Sequence, residues 1–485
     1  MKQQAVRRSG SDPNGRGGAT PRARAWLLVV LAAVAGLGGG AWYWGWGRKA
    51  PPAAVGSSAP ARPSALVPAE PPPIDPAEVL GLSAELPQSV EALKAEAMAA
   101  CARLVSDLPD RPEAHAVLAL AHVRFRKTAE AVKCWHESLR LNPRFSPAYL
   151  GLGSVSADKG DLDQAEELLR KALAINPGLE GAYGRLAEVL LQQGKGEEAL
   201  AIAHRHVDYF PQSRESHYWL GQCQIQLGDY GEAKRAYEEA IRIDPQLTPA
   251  YYSLAIACAR LGQHDKAREY QKKLAVLKQT DRQQERGRNR EYDDLAAQQN
   301  AAATLHFSAG DVHLHFGNLK KAEAHLLRAA ALAPKLVACR EALVTLYEFQ
   351  GRPAAALGVL RELLVLEPHR AARWRQAAAL HARLGQCDAA EVAWRKAIAL
   401  APDDPEARLG LIDLHLRTGH VVPDAVDLAE TAARMRPSAR ACLLLSAVRD
   451  EAGDRAGALE AIQQALEFEP DNPQLQQVHE QLRQR

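Results

Sequence analysis

Proline recurs in this chain at a fixed interval. Pro109, Pro143, Pro177, Pro211 and Pro245 stand 34 residues apart; the ladder resumes at Pro334, Pro368 and Pro402, slips by one to Pro437 and recovers at Pro470. A period of this size marks a supersecondary unit repeated along the chain, each copy too small to bury its own apolar faces and obliged to stack on its neighbours. The 485 residues can therefore build one extended array instead of several globular domains.

Ten complete units start at residues 112, 146, 180, 214, 248, 303, 337, 371, 405 and 439. Position 20 is alanine in all of them, from Ala131 and Ala165 to Ala458, once an extra residue near Val421–Pro423 is allowed in the ninth. Such an alanine, set among apolar residues at helical spacing, marks where two helices touch too closely for a larger side chain. Position 8 is small in eight units, as at Gly153, Ala187, Gly221, Ala255 and Gly310, and position 7 is leucine in eight. Position 15 is glycine in nine, where a first helix must end in the left-handed conformation. Proline at position 32 stops a second helix and biases the residue before it away from helix. Each unit reads as helix A, tight turn, helix B, short loop.

This pattern resembles the tetratricopeptide repeat, a 34-residue helix-turn-helix with a bulky residue at position 4, small residues at 8, 20 and 27, and proline at 32. Position 4 here is Tyr149, Tyr183, Tyr251 and Trp374 in the best-matching units, and position 27 includes Ala172, Ala240, Ala329, Ala397, Ala432 and Ala465. The resemblance spans residues 112–281 and 303–485 and implies an all-α, right-handed solenoid. The ladder divides it into two blocks of five units, 112–281 and 303–472, joined by a polar segment at 282–302 in which Gln279 has already replaced the expected proline. The fifth helix B is expected to run on, break near Gly287 and re-enter a helix before unit six, so that 282–302 can serve as a hinge between two arms. Residues 78–111 read as a half-repeat capping the front of the array, and 473–485 as a polar helix capping its end.

The front of the chain is different in kind. Residues 1–62 carry nine basic side chains against Asp12 alone, a net +8, which leaves −6 on the other 423 residues. A mildly acidic body argues against nucleic acid as a partner. Residues 1–24 read as a basic, disordered, cytoplasmic tail. Ala25–Gly47 has no charge in 23 residues, with Trp26 at one end and Trp42, Tyr43, Trp44 and Trp46 at the other. As a helix it would extend about 35 Å, against about 30 Å of hydrocarbon, with interfacial aromatics at both ends. The basic residues ahead of it keep the N-terminus cytoplasmic and place the body outside, periplasmic in a bacterial cell. Ala32, Gly36 and Gly40 share one face of that helix, where two copies could approach closely. Signal cleavage near Gly39–Ala41 is the alternative, which would release a soluble binding protein. Nine prolines in residues 48–76 make an extended linker.

Chemistry is not evident in the repeats. Seven scattered cysteines form no pair at metal or redox spacing and read as small buried residues. Asp311 and His315 are four apart on one helix and His313 points elsewhere, so no metal site is expected. His122, His313, His381 and His415 share position 11 and read as packing residues. Cofactors and catalysis are therefore not expected.

The family resemblance implies instead a concave surface lined by positions 2, 5, 9, 12 and 13 of the A helices. These positions supply Tyr218 and Gln222 in unit four, Tyr252, Ile256 and Arg260 in unit five, Arg375 and Arg383 in unit eight, and Leu409, Asp413 and Arg417 in unit nine. Their mixture of aromatic, amide and guanidinium groups suits an extended peptide or a helix of another protein. Position 9 holds no asparagine, against a clamp for C-terminal carboxylates. The expectation is a membrane-anchored adaptor that binds protein partners; the alternative is a recognition subunit of an envelope enzyme complex.

Overall fold

The computed structural model describes residues 75–83, 85–288, 291–420 and 422–484. The basic tail, the apolar stretch at 25–47 and nearly all of the proline-rich linker lie outside them. Among the described residues every regular element is an α-helix, and none is long and apolar enough to cross a membrane.

Each unit is an antiparallel helix pair, for example Ser146–Asp158 with Leu162–Ile175 in unit two and Arg214–Leu227 with Tyr230–Ile243 in unit four. All ten alanines at position 20 are buried, none more than 4% exposed. Position 8 is small because it faces helix B of its own unit. A Cβ on Gly153 would lie 2.9 Å from Leu169, and one on Gly221 would lie 2.7 Å from the Tyr237 ring. Nine turn glycines, from Gly160 to Gly453, adopt φ between 67° and 84°. Unit one has Arg126 at this position, held at φ 58°. A side chain in the left-handed region costs about 1–2 kcal/mol. Arg126→Gly is expected to stabilise the protein by roughly 1 kcal/mol, read as a higher denaturation midpoint.

Position 4 closes each inter-unit loop. The Tyr149 and Tyr183 hydroxyls donate to the carbonyls of Pro143 and Pro177 at 3.0 Å, Tyr251 to Pro245 at 3.1 Å, and the Trp374 indole to Pro368 at 2.8 Å. His115 and His217 hold Pro109 and Pro211 in the same way at 2.9 Å. Because proline ends helix B, its carbonyl has no partner within the helix, and a bulky donor six residues on supplies one.

The junction between blocks is built differently. Helix B of unit five, His264–Arg288, continues through Gly287, and the next helix is Glu291–His315, both 25 residues long. This second helix carries the A helix of unit six. It packs on helix B of its own unit, Leu319–Leu332, and on Val90–Asp107, with a smaller contact to Pro112–Arg124 of unit one. Val90–Asp107 starts at Ser89, whose side chain accepts from the Ala92 amide, with Glu91 in the first turn, where an acid is favoured.

The side-chain pairs give the orientation. Glu96 faces His306 and Asp107 faces His313, so these two helices run parallel; Glu96 also pairs with Arg328 and Asp107 with Lys321, so helix B runs antiparallel to Val90–Asp107. The Arg111 guanidinium lies 4.5 Å above the Phe316 ring. Leu93, Ala97, Cys101 and Leu104 share one core with Ala302, Ala309, Leu326 and Ala329, and that core continues through the second block to Ala461. The segment 78–111, expected to cap one end of a linear array, therefore lies between units one and six, and both blocks are anchored on it. A long apolar face with a buried acid could not remain at a free end. At the other terminus Pro473–Gln484 covers Arg455–Phe468 and buries Leu475 and Leu482.

Candidate partner-binding surface

The inner face of the first block is mostly closed by its own side chains. Leu150, at position 5 of unit two, is 2% exposed. Gly184, the same position in unit three, lies under Trp219, whose indole nitrogen would be 2.6 Å from a Cβ there. Arg185 reaches Asp158 at 2.5 Å and Glu188 at 2.8 Å, joining units two and three. In unit four the Gln222 amide donates to the Tyr218 hydroxyl (2.8 Å) and to Ser253 Oγ (3.2 Å). Tyr218 stands edge-on to Trp219, with ring centroids 5.6 Å apart, and burial raises its pKa. Tyr218 and Gln222 are half-buried packing residues at the floor of the face.

Unit five is open. Tyr252 is 56% exposed and Ile256 36%, and Arg260 completes the stripe one turn further along Thr248–Arg260. Four-residue spacing puts all three on one side of the helix. The Lys278 ammonium lies over the Tyr252 ring at 5.9 Å, within cation–π range. Neither Arg260 nor Lys278 forms an ion pair with another described residue. An aromatic ring, an aliphatic chain and two cations with no ion-pair partner among the described residues thus share one exposed surface.

The second block contributes less than its sequence suggests. Arg375 is bonded to Asp404 at 2.6 Å and Arg417 to Asp413 at 3.1 Å. Leu409 is buried at 3%. Arg383 is exposed, and its charge partly offsets the burial that raises the Glu348 pKa. The structure brings Tyr218 and Gln222 next to unit five but keeps Arg375 and Arg383 on unit eight and Arg417 on unit nine of the other block. Lys278 was not anticipated. Its signal was the missing proline at Gln279, which lets helix B run on through Lys278, beside Tyr252.

Elsewhere the polar groups are structural. Among the described residues no group of three or more His, Cys, Asp or Glu could hold a metal ion. His313 is fully buried, while His381 bonds Gln386 and His415 bonds Glu451. All seven cysteines are free; five are buried, and Cys134 and Cys387 are half-exposed.

Family models for the tetratricopeptide repeat match residues 116–180, 156–223, 289–336 and 371–414. The repeats of this chain are tetratricopeptide repeats. A model for subunit 3 of the anaphase-promoting complex (cyclosome) matches residues 192–274, inside the first tetratricopeptide block. Among solved structures, MamA is similar at 24% identity over 33% of this chain and 94% of its own, with a TM-score of 0.31. A MamA fragment from Desulfovibrio magneticus RS-1 is similar at 22% identity over 35% of this chain and 96% of its own, TM-score 0.32. YrrB, described as a TPR protein with an unusual peptide-binding site, is similar at 20% identity over 36% of this chain and 91% of its own, TM-score 0.32. No curated protein matches the chain.

Proposed function

We propose that this chain is a membrane-anchored adaptor whose tetratricopeptide solenoid holds a protein partner on the inner face of its first block, at unit five. The observation that carries this reading is the open stripe Tyr252–Ile256–Arg260 with Lys278 beside it, on a face where Arg185, Tyr218 and Gln222 are already paired. An exposed aromatic flanked by cations fits a segment of another protein that offers an apolar side chain and an acidic one. The anchor rests on the uncharged stretch Ala25–Gly47, its aromatic ends and the basic residues before it. In this reading the proline-rich linker holds the solenoid away from the bilayer on its outer side.

Two measurements test the parts separately. Tyr252→Ala combined with Arg260→Ala should weaken the partner complex at least about tenfold, the effect of losing one or two interface anchors, while Arg375→Ala leaves it unchanged. Equal affinities for all three proteins would remove the assignment. For the anchor, membrane-fraction protein should keep its original N-terminus; a mature chain beginning near Trp42 would establish cleavage and release.

A further inference from the structure

We propose that the seam between the blocks is an acid-operated joint: mild acidification releases unit six from Val90–Asp107 while the repeats on either side stay folded. This inference is independent of the partner assignment. It starts from three histidines enclosed where the two blocks meet. His306 and His313 are fully buried and His325 is 3% exposed. His306 Nδ1 and His325 Nδ1 are 3.0 Å apart, and the His313 and His325 rings stack with centroids 5.5 Å apart.

Position explains the cluster. His306 occupies position 4 of unit six, the donor that elsewhere holds the preceding proline carbonyl. No proline precedes unit six, so the ring turns into the seam. The Nδ1–Nδ1 hydrogen bond needs one ring to donate and the other to accept. Both rings cannot be protonated at Nδ1 and keep it.

The surrounding charges do little to help a proton enter. From Val90–Asp107, Glu96 faces His306 at 3.4 Å but already accepts two bonds from Arg328, and Asp107 faces His313 at 3.6 Å but holds Lys321 at 2.6 Å. Arg103, Lys321 and Arg328 add positive charge around the rings. Arg111, just ahead of unit one, lies on Phe316, and His115 of unit one turns to Pro109. From unit seven, Arg340 and Glu341 are held by Glu362 and Arg373. The charged groups that act on His325 are Arg103 and Lys321, both basic.

Burial pushes His313 down to about 4 and lowers His306 and His325 as well. A ring released to solvent returns towards 6.5 and takes a proton first, so the open form gains below pH 6.5 and the closed form regains its advantage above it. At pH 5 His313 alone moves the open-to-closed ratio by about 30-fold. Asp311, on the same helix, opposes this: burial raises it to about 6, which favours the closed form by about tenfold at pH 5. His306 and His325 add to the opening side.

The test is zero-length carbodiimide cross-linking of the detergent-solubilised full chain, read by mass spectrometry between pH 7 and pH 5. Asp107–Lys321 reports the seam, and Glu166–Lys195, also at 2.6 Å, reports an intact first block. The seam-to-control ratio should fall on going to pH 5 and stay level in His313→Gln/His325→Gln. A constant ratio in the unaltered chain, or equal loss of both links, would overturn the proposal. Should the double variant not fold, imidazole titration by NMR decides the matter in the unaltered chain: three rings that stay neutral until the cross-link is lost support it, and rings titrating near 6.5 with the link intact refute it.

Discussion

Arg328→Met is expected to destabilise the protein by about 3–5 kcal/mol, the usual result of leaving one member of a buried ion pair uncompensated. Arg328 donates from Nε and from Nη2 to the two Glu96 oxygens, both at 2.8 Å, and from Nη2 to the Glu85 carbonyl at 3.2 Å. The Arg328 and Glu96 side chains are only 4% and 7% exposed. Burial by itself would raise the Glu96 pKa, but Arg328 and His306 overcome it and hold the carboxyl at about 2. The pair's contribution is therefore complete above pH 4.5 and lost as pH falls from there through 2. Pairing Arg328→Met with Glu96→Leu should recover most of the loss, because a buried ion pair and a packed apolar pair are often of similar stability. Urea midpoints at pH 7 measure both steps. A drop below about 1 kcal/mol for the single variant, the range of exposed pairs, would mean that water reaches the pair and the seam is not closed.

Trp135→Ala should have an effect of similar size, about 3–5 kcal/mol, as for other large aromatic truncations in a core. Trp135 is 1% exposed and joins units one and two through Ala119, Ala131, Phe145, Ala148 and Leu152. Its ring lies so close to Gly151 that a Cβ there would be 2.2 Å from the indole. The helix of unit two has in effect given up a side chain to admit this ring, and nothing nearby can refill the space. In a stacked array each interface depends on its two neighbours alone, so the loss falls on one junction and should broaden the thermal transition as well as lower it. Trp219 also lies against a glycine, Gly184, but comes from a helix A and is half-exposed, and Trp219→Ala should cost less. Equal effects at the two sites would contradict the burial argument.

The repeat unit was legible residue by residue. Position 20 predicts close helix contact and is buried ten times; position 15 predicts a left-handed turn, and even Arg126 adopts it. These features depend on residues within one unit or the next, and a 34-residue period reports such contacts directly. The seam could not be read in this way, because it joins Glu96 to Arg328 across 232 positions. The ladder identifies each unit's neighbour in sequence and is silent about which helix an interrupted block will meet. One clue was present: Glu96 sits on the same face as Leu93, Ala97, Ala100 and Leu104, where a free cap would carry no buried acid.

The inner surface was half legible for a related reason. Family positions place a residue on the face, but they do not say whether its charge is free. Arg375 is neutralised by an acid 29 residues on and Arg417 by one four residues back. Arg260 has no ion-pair partner among the described residues. Tyr218 and Gln222 carry the right chemistry yet spend it on each other and on Ser253.

Site-specific photocrosslinking in native membranes is the most direct test of whether unit five holds the partner. A photoreactive residue in place of Ile256 in the full chain should yield a discrete adduct with another protein, and Tyr252→Ala should remove it. The same probe at Val365, 81% exposed on helix B of unit seven, should yield none. No adduct from Ile256, or the same adducts from both positions, would contradict the account.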